Sequence, residues 1–135
     1  MSARYLLDTD ICIFVRRRHL PQVQTKFERL QHGEAVMSVI TYGELLYGVE
    51  KHVSRTNALR TLEELVTLIA VVPMGPEVAH EYGALRATLE KNGEIIGNND
   101  FWIAAHARAA GLILVTNNEG EFRRVPGLKV ENWTA

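Results

Sequence analysis

The sequence predicts an α/β protein built on a mostly parallel sheet. Two observations carry that prediction. The strand-like segments, such as "YLL" (5–7), "AVM" (35–37) and "LILV" (112–115), are short and apolar throughout. Strands covered on both faces read this way, whereas strands with one wet face alternate. Between these segments lie stretches with apolar residues at helical spacing, so strand and helix alternate along the chain, the pattern of a sheet with helices on both faces.

Each element has its own signals. "RYLLD" (4–8) reads as the first strand, and "ICIFVRRR" (11–18) as a helix with Asp10 as its N-cap. "LPQVQTKFERLQHG" (20–33) is a second helix, with Pro21 early and Gly33 as its stop. "AVMSV" (35–39) is a strand, and "TYGELLYGVEKH" (41–52) is helical despite two glycines. "SRTNALRTLEELVTLI" (54–69) sets Leu59, Leu62, Leu65, Val66 and Ile69 at helical spacing, and "IAVVP" (69–73) reads as a buried strand. "PEVAHEYGALRATLEKNG" (76–93) has Pro76 near its start and Gly93 after its end, the usual asymmetry of a helix. "NNDFWIAAHARAAG" (98–111) is a helix ending at Gly111, "LILVT" (112–116) a strand, and "LKVENW" (128–133) a last short strand. With no repeat, low-complexity tract or linker, residues 1–135 read as one domain.

Composition narrows the function. A net charge of −1 argues against a broadly basic nucleic-acid binder, so any such contact must use local patches. No apolar run reaches the roughly 18–20 residues of a membrane span. "MSARYLL" has no secretory pattern, and the single cysteine, Cys12, reads as a small core residue, so a cytoplasmic protein is expected.

The acids are unusually placed. Asp8 and Asp10 are the only charged residues in 5–15, Glu44 the only one in 35–49, and Asp100 the only one in 95–107 if His106 is neutral. Asp100 shares a helix side with Ile103, Ala104 and Ala107, and it lies in a first turn, where the helix dipole favours an anion. Glu44 shares a face with the uncharged Ile40, Thr41, Tyr47 and Gly48. Each acid has an ordinary reading as a cap, a helix-start carboxylate or half of an ion pair. Asp8 and Asp10 end one strand, and Thr116, Asn117 and Asn118 end another; ligand sites form at such carboxyl edges. Carboxylates brought to one point raise each other's pKa, and a hard divalent cation such as Mg²⁺ or Mn²⁺ relieves that penalty. The five histidines show neither an HExxH pattern nor cysteine partners, which disfavours zinc. An all-oxygen cluster that retains water on its ion is the apparatus of phosphoryl-transfer hydrolysis.

"LLDTDICIF", "VITYGELLYGVEK", "IGNNDFWIAAHARAAGLILVTNNEGEFRRVPGL" and the closing "ENW" resemble, in order and spacing, the PIN-domain ribonucleases, most closely the VapC toxins of VapBC toxin–antitoxin modules. The resemblance implies a three-layer α/β/α sandwich with a mostly parallel central sheet. It places the acidic cluster on Asp8, Glu44 and Asp100, as ligands of Mg²⁺ or Mn²⁺, with a fourth polar position at Asn118 or Glu121. Thr9 and Thr116 match small hydroxyl positions near the metal. Asp10 and Asn117 are expected as supporting groups, Asp10 standing where many relatives carry asparagine. Also implied are endonucleolytic cleavage of structured RNA, a tRNA anticodon stem-loop or an rRNA loop, leaving 5′-phosphate and 3′-hydroxyl ends. The expected partners are a VapB-type antitoxin lying across the 20–30 and 41–49 helices and a second copy in a homodimer.

Arg16, Arg17, Arg18, Arg123 and Arg124 flank the expected cleft and are candidate RNA contacts, with a solvated surface as the plainer reading. Phe101, Trp102, Tyr42 and Tyr47 read as core or dimer-contact residues rather than base-stacking ones. Two other functions compete. "DTD" matches the D-x-D of haloacid-dehalogenase-like phosphatases, but Cys12 occupies the position where that chemistry wants Thr or Val, and no lysine precedes a late acidic pair. A catalytically silent PIN-type binding module is disfavoured because all three core acids are present.

Overall fold

The computed structural model describes residues 2–135. β1 (Tyr5–Leu7) is buried along its whole length, and its residues alternate between two cores. Tyr5 and Leu7 face one core, with Met37 of β2 (Ala35–Ser38) and Val115 of β4 (Ile113–Val115); Leu6 faces the other, with Val36 and Leu114. This two-sided burial is why these strands lack polar alternation.

All five strands run parallel, in the order β3-β2-β1-β4-β5, with β3 at Ala70–Val72 and β5 at Val130–Glu131. From β1 the chain builds outward through α1 (Thr9–Arg17) and α2 (Pro21–Glu28) to β2, then through α3 (Val39–Lys51) and α4 (Arg55–Leu68) to β3. It then returns past β1 through α5 (Pro76–Lys91) and α6 (Asn98–Ala110) to β4, and through α7 (Glu119–Phe122) to β5. Residues of α1–α4 pack in one core, and those of α5 and α6 in the other. The result is the expected three-layer α/β/α sandwich. The direction of building reverses between β1 and β4, and crevices form at the carboxyl edge of such a reversal.

Several local expectations change. α1 starts two residues early: Asp8, not Asp10, is its N-cap, with Asp8 Oδ1 accepting from Thr9 N at 2.8 Å, and Asp10 is an exposed first-turn residue. α3 starts at Val39 because Ser38 caps it, its Oγ accepting from Thr41 N at 3.1 Å. α2 stops at Glu28, five residues short of Gly33. β3 is an edge strand, with Ala70 exposed and Val71 and Val72 half-buried, so it is not the fully buried strand expected. The last strand shrinks to two residues; Trp133 beyond it is buried by an edge-to-face contact with Tyr5, ring centroids 5.5 Å apart. Gly111 ends α6 at φ +68°, a left-handed conformation that favours glycine.

Leu6→Ala should destabilise the protein by roughly 2–5 kcal/mol, because Leu6 is fully buried between the central strand and the α5–α6 layer. Val53→Ser, at a fully exposed position, should change stability by no more than about 0.5 kcal/mol. Urea unfolding of both variants checks the contrast; equal losses would contradict this division of the core.

Candidate active site

The β1–α1 junction carries Asp8, which is buried, and the fold uses both of its oxygens. Oδ1 caps α1, and Oδ2 accepts from the Thr116 hydroxyl at 2.8 Å, tying the end of β4 to the end of β1. Thr9, next along, donates from its hydroxyl to Glu44 Oε1 at 2.6 Å, and the Thr41 hydroxyl stands 3.3 Å behind it. On the other side, Thr116 Oγ1 accepts from Asn118 N at 2.9 Å, Asn118 Nδ2 donates to Glu121 Oε2, and Glu121 Oε1 accepts from Gly97 N at 2.7 Å. Gly97 is the N-cap of α6, and Asp100 lies in that helix's first turn. One continuous arc of hydrogen bonds therefore runs Glu44–Thr9–Asp8–Thr116–Asn118–Glu121–Gly97, and Asp100 faces it from the turn that Gly97 begins. A Cβ at position 97 would lie 3.3 Å from Asp100 Oδ2, so glycine allows this approach.

The acids are close enough to resist ionising together. Burial, and then the charges of Glu121, Asp8 and Glu44, push the Asp100 carboxyl up to about 7. Burial likewise raises Asp8, against the pull of its bonds from Thr116 and Thr9. Burial pushes the His106 imidazole down, disfavouring a positive charge in the segment that carries Asp100. No ion pair among the described residues involves Asp8, Glu44, Asp100 or Glu121.

Those features bear on whether a metal fits. As they stand, no three His, Cys, Asp or Glu side chains among the described residues lie close enough together to hold a metal ion. Asp8, Glu44 and Glu121 each lean on a protein donor, and with Asp100 they surround one region without neutralising one another. An all-oxygen, anionic donor set with no cationic partner suits a hard divalent ion.

The arc takes in most of the expected residues: Asp8, Thr9, Glu44, Thr116, Asn118 and Glu121, with Asp100 facing it. Asp10 is exposed and contributes only its negative field to Asp8. Asn117 points elsewhere; its Oδ1 lies 2.8 Å from the Thr134 hydroxyl, fastening the loop to the C-terminal segment. Of the five arginines, Arg18 pairs with Glu28 at 3.4 Å, Arg123 pairs with Glu119 at 2.8 Å, and Arg124 donates to Ile95 O at 3.0 Å, steadying the loop before α6. Arg16 and Arg17 line a cleft that begins at Thr9 and Glu44. Among the aromatics, Phe101 is core, Trp102 stacks on Tyr82 with centroids 3.8 Å apart, and Tyr47 is 63% exposed, against a core reading. Gly97 and Thr41 were missed as site residues. The Ser38-x-x-Thr41 spacing after an apolar strand is a cap signal that marks Thr41; Gly97 carries no comparable signal.

Comparison with known proteins agrees with this geometry. The model of the PIN-domain family matches residues 5–128. The chain is 40% identical over 130 residues to Ribonuclease VapC2 of Haemophilus influenzae, covering 96% of this chain and 98% of the relative. It is 40% identical over 131 residues to the tRNA(fMet)-specific endonuclease VapC of Shigella flexneri, covering 97% and 98%. Among solved structures it is similar to VapBC-1 from nontypeable Haemophilus influenzae, with a TM-score of 0.91, 34% identity and 100% of both chains covered. It is equally similar to the DNA-bound VapBC from Salmonella typhimurium, at TM-score 0.91 and 34% identity over 97% and 98% of the two chains. The chain belongs to the PIN-domain family. Within that family it stands with the VapC ribonucleases.

The linkage sign for Asp100 gives a test. An unfolded aspartate ionises near pH 4, the folded Asp100 near 7. Between those values the folded chain holds a proton that the unfolded chain has released, so stability falls as pH rises through the window. In chelator-treated protein, Asp100→Asn should therefore melt higher than wild type by a margin that widens from about pH 4 to about 7 and then levels off. Added Mn²⁺ should stabilise wild type more than the variant. Parallel melting curves across that range would contradict the crowding of charge described here.

Proposed function

We propose that the chain is a divalent-metal-dependent endoribonuclease and the toxin of a toxin–antitoxin pair, acting in the cytoplasm to stop translation. One observation carries the reading: four acids, Asp8, Glu44, Asp100 and Glu121, surround one region with no cationic partner. Asp8, Glu44 and Asp100 would hold Mg²⁺ or Mn²⁺. Glu121 would be the fourth acid: it accepts from Gly97 N at the start of the helix that carries Asp100, and its charge is the largest influence on Asp100 after burial; Asn118 positions Glu121. When bound, the ion makes water more acidic and stabilises charge developing on a phosphodiester. Thr116 and the Thr9 amide fix the orientation of Asp8, and the Thr9 hydroxyl fixes Glu44, so the carboxylates meet ion and substrate already aimed. Relatives named tRNA(fMet)-specific endonuclease, from Shigella flexneri and Salmonella typhimurium, make initiator tRNA the first substrate to test, ahead of an rRNA loop. VapBC complexes among the solved neighbours support a VapB-type antitoxin as partner; its seat across α2 and α3, and a homodimer of the toxin, are what the family resemblance implies.

Purified chain, free of antitoxin, should cut initiator tRNA in Mg²⁺ or Mn²⁺ but not in chelator, leaving new 5′-phosphate ends readable by sequencing. Asp8→Asn, Glu44→Gln and Asp100→Asn should each lose more than the roughly 10–100-fold typical of groups behind a metal site, and Thr116→Val should fall within that range. RNA that is bound yet left intact with either ion would instead make this a silent binding module.

A further inference from the structure

Most arginines of this chain are already occupied. Arg4, Arg18, Arg55, Arg86, Arg108 and Arg123 each pair with a glutamate, and Arg124 and Arg60 donate to Ile95 O and Asn57 Oδ1. Among the described residues, Arg16, Arg17 and Arg29 form no ion pair. Arg16 and Arg17 both line one cleft of about 240 Å³ between α1 and α3, together with Thr9, Glu44, Gly48 and His52, whereas Arg29 is exposed and lies outside it. The last turn of a helix favours cations, which accounts for exposed Arg17. It does not account for Arg16, which is half-buried beside a like charge; burial first, and then Arg17, lowers its pKa. A cation drawn out of water without a partner is unfavourable until an anion arrives. The only carboxylate in the cleft wall, Glu44, is engaged with the Thr9 hydroxyl.

Arg16 also borders a neighbouring hollow with Glu64 but forms no ion pair with it, which leaves room for an anion from outside, in a cleft whose inner end is the acidic arc. A phosphodiester chain has the right form: one phosphate at the acids, and a neighbouring phosphate, covalently attached, along the cleft. We propose that Arg16 and Arg17 form a track for the RNA phosphates flanking the scissile one, while Arg18, Arg123 and Arg124, bound within the fold, take no part. This inference rests on the nuclease reading above and adds the path by which the strand enters. His52 lies at the same wall, its Nδ1 accepting from Ser54 N at 2.9 Å, so the neutral ring carries its proton on Nε2, a further donor to phosphate.

The test uses the whole chain with saturating Mn²⁺ and two substrates: a structured RNA, and bis(p-nitrophenyl) phosphate, which has no flanking phosphates. Arg16→Gln/Arg17→Gln should raise KM for RNA by roughly tenfold or more with kcat nearly unchanged, the size expected for lost charge-assisted hydrogen bonds. The salt dependence of log KM should flatten by about 1.4, roughly 0.7 per single-strand phosphate contact. Hydrolysis of the small diester should stay at the wild-type rate, as should RNA cleavage by Arg18→Gln and Arg123→Gln. Wild-type KM and salt slope in the double variant would overturn the track, as would equal loss on the small diester. RNA affinity unchanged while a cognate antitoxin peptide binds more weakly would also overturn it, assigning the cleft to the protein partner. If wild type cuts neither substrate, the nuclease reading fails, and the track is then judged by RNA affinity alone: the same flattening supports it, and no change overturns it.

Discussion

The structure depends on a carboxylate buried at the end of its central strand. Asp8 starts α1 through Oδ1 and locks β4 to β1 through Oδ2. An isolated buried carboxylate is costly, and these two donors offset much of that cost. They do not remove it, since Asp8 still ionises above its ordinary range. The fold therefore holds an acid that is fixed in direction but incompletely compensated. Its remaining lone pairs point toward a region where Glu44, Asp100 and Glu121 add further negative charge.

That residual cost belongs with the chemistry. A lysine or arginine among the four acids would relieve their repulsion, but no ion pair among the described residues involves these acids. Instead, neutral donors steer the acids: the Thr9 and Thr116 hydroxyls, the Asn118 amide and the Gly97 N–H. Neutral hydrogen bonds orient a carboxylate while leaving most of its charge, which is what binding a hard ion requires. Positive charge is kept at the margins, with Arg124 clasping the loop before α6 and Arg16 and Arg17 along the outer cleft.

How legible this was in the sequence follows from locality. Three acids isolated in apolar segments marked the cluster, because an unpaired charge among buried residues is visible without knowing the fold. The parallel sheet was visible for the same reason, in strands lacking alternation. Contacts between distant segments were not. Asp10 looked like the cap of α1, whereas Asp8, held beside β4 by the bond its N–H donates to Val115 O, is the residue that starts the helix. That Glu121 reaches the start of α6, accepting from Gly97 N 24 residues away, was not legible either. That three arginines were already paired could not be read from their spacing. β3 looked buried because its composition matches the central strands; its place at the sheet edge is a property of topology.

The arc also explains why the site belongs to the whole chain rather than to any part of it. Thr9 reaches Glu44 across 35 residues, and Thr116 reaches Asp8 across 108. The second bond forms only when β4 has entered the sheet beside β1, after both the α1–α4 and α5–α6 layers have been laid down. Contacts of such separation are late to be repaid in folding, since the loop entropy is lost first. A nascent chain therefore has its first acid long before it has a site, and the acids repel only once folding brings them together. The Thr116–Asp8 bond ties the aim of the first acid to the pairing of β4 with β1, so a chain in which those strands are unpaired carries the acids without the arrangement.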